Sequence, residues 1–154
     1  MSLLSVLKYP DPKLKIIAMP VEHISPITRQ FIKDMITTMY GTSSVGLTAT
    51  QVGVHQRIAV IDVPESLVQP IVLINPVIAE SKEEKNITEE KCLSIPGTSR
   101  FVYRAEKINV TALDAFGNTI NFSASGTLSI CIQHMIDHMN GILLTKEGAN
   151  KFLI

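Results

Sequence analysis

The sequence predicts an α+β fold in which antiparallel β-sheets pack around a central α-helix. Three observations carry that expectation. Helical periodicity appears in two segments, one early and one late in the chain. Val- and Ile-rich runs of strand length lie between them. A short polar turn joins two alternating segments just ahead of the second helix.

The first helix is expected from Ser25 to Gly41. Ser25 is a good N-cap, and Pro26 suits the first helical position, where a missing N–H costs nothing. Ile27, Phe31, Met35 and Met39 recur every fourth residue with Ile32 and Ile36 beside them, which makes one apolar face. Gly41 is a natural stop. GTSSVGLTAT follows as a Gly/Ser/Thr-rich loop. Arg57 to Val63 and Ile71 to Ile78 read as strands. The polar run KEEKNITEEK reads as an exposed turn or edge region with a solvated face. Ile108, Val110 and Ala112 alternate with polar residues, as in a half-buried strand. AFGN then turns the chain into TINFSAS, completing a hairpin. The last helix runs from about Thr127 to Asn140, on the periodicity of Leu128, Cys131, Ile132, Met135 and Met139, and Gly141 ends it. The tail ILLTKEGANKFLI carries no assignable element.

Composition narrows the function classes. At 154 residues and 45% apolar, the chain suits one domain spanning residues 1–154 with a sizeable core. Lys plus Arg equals Asp plus Glu, at 14 each, so no electrostatic footprint for nucleic acid or an anionic membrane is expected. No stretch approaches the ~20 apolar residues of a membrane span. The start, MSLLSVLKYPDPK, lacks a basic lead and a clear cleavage site, so no signal peptide is expected. Two cysteines, Cys92 and Cys131, point to reduced thiols in a cytoplasmic setting.

The second helix carries His134 and His138. Residues four apart share a helix face, so both imidazoles can reach one metal ion. The pair alone is equally compatible with two histidines on a polar face. A catalytic metal needs a third protein ligand and an open position. Cys92, in the motif KCLSIPG, is the candidate; its bland alternative is a buried core cysteine. His23 and His55 have no partner at ligand spacing and read as surface histidines.

Three ordered stretches resemble the signature motifs of the peptide deformylase family. GLTATQ (Gly46 to Gln51) resembles G-x-G-L-A-A-T-Q. EEKCLSIPG (Glu89 to Gly97) resembles E-G-C-L-S, and QHMIDH (Gln133 to His138) resembles Q-H-E-x-D-H. The similarity continues between them, through VYRAEK. The resemblance implies a peptide-deformylase-like fold of antiparallel sheets around a metal-bearing helix. It implies that Cys92, His134 and His138 hold one divalent metal, commonly Fe2+ in the cell, with Zn2+ or Ni2+ accepted. It implies removal of the formyl group from N-terminal formyl-Met of nascent peptides, near the ribosome, by metal-activated water. Gln51 and the Leu93 N–H would stabilise the oxyanion, and preset donors of this kind are worth several kcal/mol in a dry site. Val45 and Gly46 would hold the peptide backbone. Val45, Ile130 and Cys131 would line the methionine pocket; plain core packing is their alternative.

The third motif departs where its glutamate should stand, at Met135. In the family that glutamate takes a proton from water and passes it to the leaving amine. A thioether has no titratable proton. A positioned acid–base group contributes ~10²–10⁴-fold, so deformylation is expected to fall at least that far. The alternative role is a non-catalytic binder of N-formyl or N-terminal Met peptides. A third reading has Met135 close the site, its sulfur approaching the metal. Asp137 is expected to orient a ligand histidine or to make a salt bridge. Glu89 and Glu90 read as exposed or structural carboxylates. Ser44 and Lys91 stand where the family has glycine, and Thr48 where it has alanine. Ser99 stands where many members have arginine, Arg104 matches, and the C-terminal helix of bacterial members is cut short.

Overall fold

The structure, a computed structural model, describes residues 3–64, 66, 69–81 and 85–145 of the chain. Helix α1 spans Pro26–Gly41. Ser25 caps it as expected: its Oγ accepts from the Thr28 N–H at 3.2 Å, and Thr28 Oγ1 accepts from the Ser25 N–H at 3.2 Å. That reciprocal pair satisfies two donors the helix start would otherwise leave open. The loop after it contains a three-residue strand, β1 (Gly46–Thr48), and a 3₁₀ turn, Ala49–Val52. Strands β2 (Ile58–Ile61) and β3 (Ile71–Ser81) match the two Val/Ile runs; the first is trimmed at both ends and the second extended.

The polar run resolves into a strand. Lys85–Cys92 form β4, paired antiparallel with β5 (Ile95–Ala105) in a sheet of two strands. The exposed-edge reading holds for its outer face, where Lys85, Ile87, Glu89 and Lys91 are exposed; residues 82–84 lie outside the described set. β6 (Lys107–Leu113) and β7 (Thr119–Ser125) make the expected hairpin, in register from Lys107 opposite Ser125 to Leu113 opposite Thr119. Helix α2 spans Gly126–Met139. Of the tail, Leu143 and Leu144 are buried beside Cys92 and Leu14, and residues 146–154 lie outside the described set.

The larger sheet has the order β1-β2-β3-β6-β7. β3 and β6 pair directly although β4 and β5 separate them along the chain. Strand β2 is buried on both faces, and the two faces meet different helices. Ala59 and Ile61 pack in a cluster with Ile132, Met135 and Met139 of α2. Ile58 and Val60 pack with Ile32, Met35 and Met39 of α1. The sheet therefore lies between the two helices, and α2 is held on its inner face, next to the two-stranded ribbon. Two side-chain ties fix that docking. The Gln133 side chain accepts from Ala105 N at 3.0 Å, and Ser129 Oγ donates to Ala105 O at 2.9 Å.

Candidate metal centre

The helical spacing of His134 and His138 stacks their rings, with centroids 5.0 Å apart and planes 16° from parallel. Cys92 ends β4 where the β4–β5 register shifts, which turns its side chain toward α2. Its Sγ lies 3.1 Å from His138 Nε2. One ligand atom from each of the three residues falls within 4.8 Å of the others, all three residues buried. His134 Nε2 is buried and has no hydrogen-bond partner among the described residues. An orphaned imidazole nitrogen beside a thiol and a second imidazole is what a bound cation would satisfy, and the S/N/N donor set suits Zn or Fe.

Burial sets the protonation. It holds His134 down at about 3, with the Arg104 guanidinium adding to the effect. Burial likewise holds His138 well below its ordinary value, helped by His134 and Arg104. Both imidazoles are therefore neutral, the form that binds metal. Burial raises the Cys92 thiol, opposed by the backbone of Ser94 and Ile95 and by Lys8. Its proton must leave when a metal binds.

A buried ion network backs the site. Arg104 donates through Nε to Glu90 Oε2 at 2.8 Å and through Nη2 to Glu90 Oε1 at 2.7 Å. Its Nη1 donates to Asp137 Oδ2 at 2.7 Å. Glu90 Oε1 lies 3.4 Å from His134 Nδ1, on the side of the ring away from the metal position. Asp137 thus takes the salt-bridge alternative. Glu90 is the structural carboxylate, and it touches His134; Glu89 is exposed and accepts from Ser99 Oγ at 2.9 Å.

A cleft of about 180 Å3 opens over these residues. Val45, Gly46 and Gln51 line it on one side, and Lys91, Cys92 and Leu93 on the other. His134, Met135, Cys131 and Ile130 line it too, together with Glu90, Ser44 and Thr127, and His138 is fully buried and not among the residues that reach it. Gln51 is held in place: its Oε1 accepts from Thr48 N at 3.0 Å, and its Nε2 donates to Ser94 Oγ at 3.2 Å. One Nε2 hydrogen remains beyond that bond. Ser94 escaped the sequence reading; its place two residues after Cys92 was the available signal. Met135 is 5% exposed, and its sulfur packs toward Gly46, where an added Cβ would stand 3.2 Å from Met135 Sδ and 2.9 Å from Cys131 Sγ. Ser44 Oγ donates to Gly46 O at 2.7 Å, and Val45 is half exposed. A larger groove of about 470 Å3 crosses Ile71, Phe116 and Phe122, and among the described residues no metal-ligating cluster lines it.

The family profile described as polypeptide deformylase matches residues 3–151. The chain belongs to that family. It is 47% identical to a peptide deformylase of Cellvibrio japonicus over 143 residues, covering 93% of this chain and 85% of that one. It is 45% identical to a Neisseria meningitidis peptide deformylase over 147 residues, covering 96% and 87%. Among solved structures, the peptide deformylase of Thermotoga maritima superposes with a TM-score of 0.91 at 32% identity, with both chains fully covered. That of Legionella pneumophila gives 0.88 at 43% identity, covering 93% of this chain and 84% of that one. The α+β deformylase fold expected from the motifs is the observed one. Among the described residues, no helix is long and apolar enough to cross a membrane.

Proposed function

We propose that this chain, acting as one domain in the cytoplasm, binds N-terminal formyl-Met peptides of nascent proteins in the cleft and deformylates them only slowly. The observation that carries this is the cleft floor. A complete Cys92/His134/His138 set adjoins Met135, so the metal ligands are kept while the proton-transfer group is absent. Fe2+ is the metal proposed in the cell, with Zn2+ or Ni2+ also suiting the ligands. An ion held there supplies Lewis acidity toward the formyl carbonyl and toward water. The protein's own groups do the rest. Gln51 and Leu93 line the cleft, and in this reading Gln51 Nε2 and the Leu93 N–H donate to negative charge growing on the formyl oxygen. Gly46, the first residue of edge strand β1, and Val45 just before it offer backbone groups to the peptide in this reading. Ile130 and Cys131, with Val45, give the methionine side chain an apolar wall. Met135 can neither take a proton nor return one to the leaving amine. Proximity to the ribosome belongs to the same reading, since the substrate is made there.

The test is a paired assay on anaerobically prepared, Fe2+- or Ni2+-loaded protein. Hydrolysis of formyl-Met-Ala-Ser is compared between wild type and Met135→Glu. The expected result is a gain of about 10²–10⁴-fold in the variant. No gain, with metal bound in both, would show that the cleft has diverged beyond its missing base. A second reading, a non-catalytic binder, is favoured by the same Met135. Calorimetric binding of formyl-Met peptides without turnover supports it, and absence of heat removes it.

A further inference from the structure

The cleft carries charge unevenly. Glu90 is the carboxylate in its lining, and two hydrogen bonds from Arg104 neutralise it from behind. Lys91 is the other formally charged lining residue. It is exposed at the rim of the cleft, while Glu90 and Cys92 on either side of it are buried. Its cross-strand partner is Ser99, a neutral residue. Glu89, two residues back on the same face, is tied to Ser99 Oγ, and among the described residues no carboxylate pairs with the Lys91 ammonium. A second ammonium stands close by: Lys8 Nζ donates to Leu93 O at 3.0 Å. Lys91 at the rim and Lys8 beside Leu93 put two cationic residues on this side of the cleft, with the Glu89 carboxylate held at Ser99.

We propose that Lys91 makes this cleft select peptides with acidic side chains close behind the N-terminal methionine. The inference deepens the peptide-binding reading above and rests on it. An extended peptide advances about 3.3 Å per residue, so with its first side chain on the cleft floor the next residues pass the mouth. A carboxylate there meets an unpaired ammonium, and the approach of acidic peptides is steered by the same charge. The pairing is solvent-exposed, so its effect is modest and sensitive to salt.

The experiment is calorimetry on Ni2+-loaded protein with two C-terminally amidated probes, formyl-Met-Asp-Asp-Ser and formyl-Met-Asn-Asn-Ser. The amide removes a competing carboxylate. At low ionic strength the Asp peptide is expected to bind about 2–5-fold more tightly, and the gap should close at about 0.5 M salt. Lys91→Met should erase the difference, and Lys91→Glu should reverse it. Equal binding of both peptides by the wild type overturns the proposal alone and leaves the peptide-binding reading standing. So does an Asp preference that persists in Lys91→Met, since the selection then comes from another group. Binding of neither peptide overturns the peptide-binding reading and this one together.

Discussion

Met135 and Gly46 face each other across the floor of the cleft, and their contact sets what each position tolerates. The methionine belongs to the core cluster that joins α2 to the sheet, so its replacement by glutamate places a carboxyl group in a mostly apolar setting. Such a setting raises a carboxyl group's pKa, which is the condition a proton-transferring group needs near neutrality. The predicted gain of Met135→Glu follows from that as well as from the family motif. Gly46 is constrained by space. A methyl group there meets Cys131 Sγ at 2.9 Å and Met135 Sδ at 3.2 Å. Gly46→Ala is expected to cost about 1–3 kcal/mol of stability, read as a lower urea midpoint. Adding Cys131→Ala should recover part of the loss, because it removes the nearer atom. An unchanged midpoint in the single variant would mean that α2 yields freely.

At the scale of elements, α2 and β5 are joined through charge. Arg104 is 1% exposed and links Glu90 of β4 to Asp137 of α2. Arg104→Met leaves two carboxylates buried without their cation, and such a break costs about 3–5 kcal/mol. The thermal midpoint should drop sharply, and intact stability would show that water replaces the guanidinium. Helix α2 also carries a pH dependence. His134 is ordinarily half protonated at 6.5, but in the folded, metal-free protein it stays neutral down to about 3. Between those values the unfolded chain holds more protons, so stability is fully present above 6.5 and falls as pH drops toward 3. Urea unfolding of the chelated protein at several pH values should follow that slope, and a flat profile would contradict the burial of His134. The two helices and the β6–β7 hairpin were legible in the sequence because each buries one apolar face, at period 3.6 or 2. β4 was not read as a strand because its inward residues include Thr88 and Glu90, which face Arg104 and His134. A strand that turns polar groups to both sides carries no hydrophobic alternation. β1 escaped for a different reason: three residues are too few to show a period.

Across the whole molecule, the three candidate metal ligands come from two parts of the fold: Cys92 from the β4–β5 ribbon, and His134 with His138 from the helix docked on the larger sheet. An ion that binds only the folded protein adds about 2.7 kcal/mol at a concentration 100 times its dissociation constant. Chelation is therefore expected to lower the melting temperature. It should also raise amide exchange in residues 85–105 more than in α1 and β2, since the ribbon loses a tie that the sheet does not. Uniform loosening would mean that the ribbon is held by its ion network alone. The topology carries one more consequence. Ser81 stands opposite Ile108 in the β3–β6 pairing, so the chain departs for the ribbon and comes back at nearly the same point. The ribbon is thus a cassette inserted at a hairpin tip. A short turn spliced between β3 and β6 would leave the five-stranded sheet contiguous, while excising Cys92, one cleft wall and the lysine at its mouth. The ribbon with Cys92 and Lys91 and the body with His134 and His138 are thus successive pieces of one chain, each bringing part of the candidate metal centre, and substitution can reshape the ribbon while the sheet stays as it is.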